Sequence, residues 1–420
     1  MKFNVQTLGC KVNAYESELI KEMFINAGFI EANKMNNADV IIVNTCTVTN
    51  QADAKSRKTI RQARRENPDC CLVVCGCAAE HHKENLIDLD IDILLGNKDK
   101  SKIVLLVNDY LKNRRKIVNF YDLRNVSFED MQINNFEGHT RGFVKIQDGC
   151  NNFCSYCIIP FMRGNIRSKS LEVAIEEINC LANNGYKEIV LTGIHTGSYG
   201  DGEDFDLTDL IHEVSKNDNL KRIRISSIEI TELDDKFMNE FKNNEKICSH
   251  FHVPLQSGSN HILKLMNRKY NIDEYKEMIN KLRSIRSDVN ITTDLIVGFP
   301  EESDEDFLET LTNLKSIGFS KIHTFPFSLR SGTKASIYKP INDSLKKERV
   351  NKILKLSEEL ESNYYQKFIG TKVFVLVEDE TSGLTDNYIK VHLDKTCQVN
   401  EVVEVLITSV DNLYVNGTVL

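Results

Sequence analysis

Along the first quarter of the chain, short apolar runs take turns with segments of helical period. FNVQTLG (3–9), DVIIVNT (39–45), CLVVCG (71–76) and IDILLG (91–96) have the length and content of buried strands. AYESELIKEMFINAG, QADAKSRKTIRQARREN and KDKSKIVLLVNDYLKN read as helices. Strands alternating with helices favour a parallel sheet covered on both faces, so residues 1–112 are expected to form an open α/β domain. Residues 113–135 are polar and weakly patterned and read as a linker. From 136 to 366 the alternation resumes at longer spacing, with FVKIQ, EIVLTG, RIRISS, HFHVPLQ, ITTDLIVGFP and KIHTFPFS as six strands. Six such units suit a full or partial (β/α) TIM-like barrel, with its active site at the carboxyl ends of the strands. KKERVNKILKLSEELESNYYQKFIG predicts a long helix leading out of it. Residues 369–420 change to period two, in KVFVLVED, YIKVHL, EVVEVLIT and LYVNGTVL, and predict a small antiparallel β-barrel.

Composition narrows the functional classes. The 420 residues leave room for two or three domains. No apolar run approaches the ~20 residues of a membrane helix, and MKFNVQTLGC lacks the basic-then-apolar order of a signal peptide. A cytoplasmic protein without a membrane partner is expected. There the twelve cysteines stay reduced, and their clusters read as metal ligands or nucleophiles before disulfides. A net charge of −8 argues against indiscriminate nucleic-acid binding, but the cations are unevenly spread. Lys55, Arg57, Lys58, Arg61, Arg64 and Arg65 crowd one segment, while Arg141, Lys145, Arg163, Arg167 and Lys169 bracket a cysteine motif.

That motif is Cys150-x-x-x-Cys154-x-x-Cys157, directly after the strand FVKIQ. Three thiolates on one short loop can ligate three irons of a [4Fe–4S] cluster and leave the fourth iron open to a substrate. A zinc site more often shows paired CxxC halves that close the tetrahedron. Cys10, Cys46 and Cys77 end the first three strands, at the same edge of the expected parallel sheet, where ligands commonly gather. Together they predict a second three-thiolate cluster with one open iron. VVCGCAAE offers Cys75 as well as Cys77, and residues two apart on a strand point the same way, so geometry leaves that choice open. Cys70, Cys71, Cys180, Cys248 and Cys397 match no cluster motif.

QDGCNNFCSYCIIPFMRG resembles the radical S-adenosylmethionine (SAM) enzymes, and within them the methylthiotransferases. TLGCKVNAYES, NTCTVTNQAD and GCAAE are similar to that family's amino-terminal motifs, and the match assigns Cys77 rather than Cys75. The resemblance implies two [4Fe–4S] clusters, on Cys150, Cys154 and Cys157 and on Cys10, Cys46 and Cys77. It also implies SAM chelated to the open iron of the first and cleaved to a radical. No general-base pair is then expected. Tyr156 is placed near the adenine of SAM, and Gly193, Gln256, Asp294 and Gly298, at strand ends, become candidates for the cofactor's surroundings. GFPEES departs from the family's usual Gly-Glu after the proline. Arg163 and Arg167 are candidates for meeting phosphate or a cofactor carboxylate.

The tail, most clearly SGLTDNYIKVHL, resembles a TRAM RNA-binding barrel, with Lys372, Tyr388, Lys390 and Lys395 as its candidate face despite the acidity of the region. TLGCKVN, GIHTGSYG and the short tail look most like the branch acting on tRNA N6-threonylcarbamoyladenosine at position 37. The isopentenyladenosine branch, the branch modifying an aspartate of a ribosomal protein, and a non-catalytic iron–sulfur RNA-binding protein are the alternatives. The anticodon loop of tRNA, an electron donor such as flavodoxin or ferredoxin, and a monomeric state complete the expectations.

Overall fold

The structure is a computed structural model that describes residues 1–87, 89–136 and 139–420. The first sheet takes its shape from strands that are apolar on both sides. β1 (Lys2–Thr7), β2 (Ile30–Glu31), β3 (Val40–Thr45), β4 (Cys71–Gly76), β5 (Ile93–Leu95) and β6 (Ile117–Asn119) run parallel in the order β2-β1-β3-β4-β5-β6. Every residue of β3 and β4 is buried, because helices cover both faces. Two apolar cores result, one around Ile41, Val43, Leu72 and Val74, the other around Phe3, Ile42, Val73 and Phe24. β6 lies within the segment expected to be a linker. Its three residues are too few to show a periodic pattern, and pairing with β5 supplies what the pattern lacks. Leu123 and Ile133, further along the same segment, are buried as well.

The second body is an open barrel. β7 (Arg141–Lys145), β10 (Glu188–Thr192) and β11 (Arg222–Ile225) form one parallel sheet, and β12 (His250–His252), β13 (Asn290–Val297) and β14 (Lys321–Pro326) the other. A parallel bridge between Ile223 and Ile247 continues the wall from one to the other. β8 (Gln147–Asp148) and β9 (Arg167–Ser168) pair antiparallel and clasp the loop that carries Cys150, Cys154 and Cys157. The seam between β7 and β14 carries no strand pairing among the described residues. The first body bridges it. The helix Lys11–Asn26 turns Ile20 and Phe24 to its own sheet and Tyr15 and Leu19 into the barrel core. On the other side, Arg330, beyond β14, bonds to Thr47 at 2.6 Å and pairs with Asp53 at 2.8 Å.

The helix Asp343–Gln366 leads to a closed barrel of β15 (Lys372–Asp379), β16 (Ser382–Thr385), β17 (Lys390–Leu393), β18 (Val402–Asp411) and β19 (Tyr414–Val419). Two details differ from the sequence expectation. β16, SGLT, is short and polar and breaks the two-residue alternation, and the closing pair β17–β19 is parallel rather than antiparallel. This barrel docks on the first half of the open barrel, where Arg222 donates to Leu384 O at 2.8 Å and Phe374 O at 2.7 Å and Arg224 donates to Asp386 O at 3.0 Å. No helix among the described residues is long and apolar enough to cross a membrane.

Candidate active site

In the first sheet the strand order reverses between β1 and β3, and ligands bind outside the carboxyl ends of parallel strands at such a switch point. The three amino-terminal cysteines sit there. Cys10 follows β1 and caps the helix Lys11–Asn26, Cys46 follows β3, and Cys77 opens the helix Cys77–His81 after β4. All three line one cavity of about 910 Å³, together with Gly193, Asp294, Tyr388 and Lys390 from the other two bodies. Gly9, at φ +103°, is in the left-handed region that favours glycine, and a Cβ there would lie 2.7 Å from the Cys46 sulfur.

Cys75 and Cys77 part at the end of β4. The strand stops at Gly76 (φ +97°), so Cys77 belongs to the next element and turns into the cavity. Cys75 is fully buried in the core between sheet and helix. The two-residue rule fails because only one of the pair is on the strand.

The second trio lies alongside. Ile158, next to Cys157, packs on Cys77 in a small apolar cluster with Met162. The helix Ile159–Arg163 then carries Arg163 under the first trio, where its Nε donates to Cys77 Sγ at 3.1 Å and its Nη2 to Asn13 Oδ1 at 2.8 Å. Arg163 is completely buried and shares Glu16 and Asp148 with Lys100, Lys145 and Arg167. Four cations thus face two carboxylates. Burial pushes the Glu16 carboxyl up, but Arg163, Lys100 and Lys145 outweigh it and hold it well below the usual range. Burial pushes the Cys10 thiol up, and the Arg163 guanidinium offsets only part of that rise. Around the second trio, Arg268 donates to Cys154 Sγ at 3.3 Å and pairs with Glu229 at 2.8 Å. Burial would lower the His195 pKa, yet hydrogen bonds to Cys150 and Glu232 raise it to about 10. Each trio therefore has a buried cation against one of its sulfurs. The sulfurs of neither trio converge as three ligands of a single ion would, whereas thiolates on separate irons of one cluster stand further apart.

The remaining candidates divide. Gly193 and Asp294 line the cavity, the latter 3.3 Å from His252. Gln256, at φ +67°, bonds through its backbone N–H to Asp294 O at 2.9 Å and shapes that rim. Tyr156 packs with Met266, Phe299 and Phe327 beside the cysteine loop. Gly298 does not line the cavity. A Cβ on it would meet Lys346 at 2.5 Å, so its role is close packing on the long helix. In GFPEES, Glu301 stands where the family has glycine and holds φ +67°, the conformation that glycine would adopt without strain.

Arg163 and Arg167 are not available to a phosphate. The first is buried under Cys77, and the second has side-chain exposure of 10% and pairs with Asp148 at 3.0 Å. Arginine beside a cysteine motif reads equally as a surface cation and as the counter-charge of a buried site, and here the second holds. Tyr388 lies inward too, stacked on His250 at 4.7 Å and with the Arg224 guanidinium 4.7 Å from its ring centre. Burial opposes ionisation of Tyr388, but Arg141 and Lys11 lower its pKa overall. Lys390 borders the same cavity, whereas Lys372 lines a separate cavity of about 720 Å³ that holds no cysteine, and Lys395 reaches Val419 O. Asn13, Glu16, Asp148, Lys100, His195 and Arg268 escaped the sequence reading. Asn13 and Glu16, three apart on the helix that Cys10 caps, were the one legible sign of the buried network.

The Radical SAM superfamily profile matches residues 144–314, and the profile described as Uncharacterized protein family UPF0004 matches residues 2–96. Threonylcarbamoyladenosine tRNA methylthiotransferase MtaB of Bacillus subtilis is 40% identical over 92% of this chain and 88% of its own length. The protein of that name from Aquifex aeolicus is 40% identical over 97% and 100%. The chain belongs to the radical SAM methylthiotransferase family. A tRNA-2-methylthio-N(6)-dimethylallyladenosine synthase from Acetivibrio thermocellus is 34% identical over 89% of this chain and 80% of its own length. Among solved structures, the radical SAM methyltransferase TsrM of Kitasatospora setae, with cobalamin and a [4Fe–4S] cluster, overlays with a TM-score of 0.60 at 14% identity over 80% of this chain and 77% of that one, a likeness of fold.

Membership gives this methylthiotransferase a [4Fe–4S] cluster and SAM. Cys150, Cys154 and Cys157 fit that cluster by their shared loop, their open spacing and the cations that face them.

Proposed function

We propose that the protein adds a methylthio group to carbon 2 of N6-threonylcarbamoyladenosine at position 37 of tRNA, next to the anticodon. The observation that carries this reading is the single cavity to which all three bodies contribute. Cys10, Cys46 and Cys77 stand on one wall, Gly193 and Asp294 on the barrel wall, and Tyr388 and Lys390 on the wall of the carboxy-terminal barrel. Identities of 37–40% to four relatives named for threonylcarbamoyladenosine favour that base over the dimethylallyl one.

In this reading Cys10, Cys46 and Cys77 hold a second [4Fe–4S] cluster, and the positive charge around Arg163 compensates its thiolates. When bound, the clusters and SAM supply the electron transfer, hydrogen abstraction and sulfur delivery. The chain's own part is to hold the two clusters side by side through the helix Ile159–Arg163 and to keep water from the cavity floor. It also receives an unstacked base in the cavity that Lys390 borders. Residues 1–112, 136–366 and 369–420 serve as the auxiliary-cluster, radical SAM and TRAM RNA-contacting domains. The enzyme works in the cytoplasm as a monomer and takes electrons from a flavodoxin or ferredoxin.

Mass spectrometry of nucleosides from total tRNA, with and without the gene, tests this. Loss of the methylthio form of threonylcarbamoyladenosine is expected, with the unmethylthiolated base accumulating. Loss of the methylthio dimethylallyl nucleoside instead would transfer the protein to the other branch.

A further inference from the structure

The two basic groups seen in the sequence have opposite fates in the structure. Arg141, Lys145, Arg163, Arg167 and Lys169 are all consumed by Glu378, Glu16, Asp148 and Glu177. The carboxy-terminal barrel is no substitute, since residues 369–420 carry eight carboxylates against three lysines. Phosphate contacts need lysine and arginine, and so must come from elsewhere.

The helix Asn50–Glu66 provides them. Arg64 is tied to Asp92 at 2.7 Å, and Asp53 is buried against Arg330. Lys55, Lys58, Arg61 and Arg65 are exposed and have no ion-pair partner among the described residues. Their spacing of three, three and four residues stacks them in one stripe, ~15 Å long at 1.5 Å per residue. Like charges at that spacing weaken a helix, so the stripe is not there for stability. It is also fixed relative to the cavity. The helix begins four residues after Cys46, and Asn50 bonds to Ser328 Oγ at 3.2 Å and to Arg330 at 2.8 Å. At this junction Val48, which borders the cavity, and Leu329, whose carbonyl accepts from Asn50 Nδ2 at 3.3 Å, are 50% and 45% exposed, an apolar lip of the kind on which an unstacked base rests.

We propose that this stripe grips the tRNA phosphate backbone and indexes the anticodon stem, so that the loop crosses the lip into the cavity. The proposal rests on tRNA being the substrate and adds which face of the enzyme holds it. The test is equilibrium binding of tRNA carrying N6-threonylcarbamoyladenosine to the iron-loaded full-length protein, over a salt series. One variant carries Lys55→Ala, Lys58→Ala, Arg61→Ala and Arg65→Ala together, and a second exchanges lysine and arginine at the same four positions. For the alanine variant we expect affinity to fall at least about tenfold and the slope of log affinity on log salt to lose roughly 0.7 to 0.9 per phosphate contact removed. Its iron content and melting temperature should stay at wild-type values. The exchange variant should bind like the wild type, because phosphate requires charge rather than shape. An alanine variant with unchanged affinity and slope overturns the proposal, as does an exchange variant as weak as the alanine one. Wild-type protein that binds no tRNA would overturn the substrate reading itself.

Discussion

Arg163→Ala would empty a completely buried site and break the bonds to Glu16, Asp148, Asn13 and Cys77 at once, although Lys100, Lys145 and Arg167 stay on the two carboxylates. Breaking a buried pair from one side costs about 3–5 kcal/mol. For Arg163→Ala we therefore expect a loss of about that size in the urea unfolding free energy of the iron-free protein, and a variant within about 1 kcal/mol of wild type would show that the buried network does not depend on Arg163. The cysteines give a second test at this scale. Cys77→Ala should remove the iron of one cluster, about four atoms per chain, while Cys75→Ala should keep it, because only Cys77 faces the cavity. Iron retained in the first and lost in the second would reverse the assignment.

Elements position these groups through a few constrained joints. Gly9→Ala would drive a Cβ to within 2.6 Å of the Cys46 Cβ, at a φ that alanine adopts poorly. Loss of the auxiliary iron is expected, with the radical SAM cluster and the melting curve of the apoprotein nearly intact, and a full complement of iron would contradict this. A different joint responds to pH. Ser303 caps the helix Asp304–Ile317, and Asp306 closes the box by accepting from the Ser303 backbone N–H at 3.0 Å; it also accepts from Ser259 at 2.6 Å and lies 3.1 Å from His261 Nδ1. Burial pushes its carboxyl up, but these bonds prevail and hold it at about 2. A carboxyl depressed below its unfolded value of about 3.9 stabilises fully above that value and loses the contribution as pH falls toward 2. The melting difference between wild-type apoprotein and Asp306→Asn should shrink as the pH falls below about 4, and a difference that persists unchanged toward pH 2 would contradict this. The strands and helices around these joints were legible because β3, β4 and their neighbours follow the period of their element. β6 and β16 were not, since three or four residues carry no period and tertiary pairing alone defines them.

At the scale of the whole molecule, the order of three bodies and both cysteine trios could be read from the chain, because cysteine spacing and strand-end position are local facts. What the sequence withheld was which charges go inside. Arg163 and Arg167 have the appearance of surface cations, and it is Glu16 and Asn13 on the helix Lys11–Asn26 that turn the first inward and Asp148 that turns the second. The carboxy-terminal barrel is likewise part of the assembly. A chain ending before Ile369 would leave Arg222, Arg224 and Asn290 without the backbone acceptors at Leu384, Asp386 and Asn387. Its denaturation midpoint should fall well below that of the full chain, and an unchanged midpoint would show that the two bodies are thermally independent. The central claim, two iron clusters held side by side on the two cysteine trios, is tested most directly by Mössbauer spectroscopy and iron counting on anaerobically purified wild type and on a variant with Cys10, Cys46 and Cys77 all changed to alanine. The account predicts two [4Fe–4S] clusters in the first, and one in the second, which still cleaves SAM to 5′-deoxyadenosine but forms no methylthio nucleoside. A single cluster in the wild type, or a triple variant with undiminished iron, would contradict it.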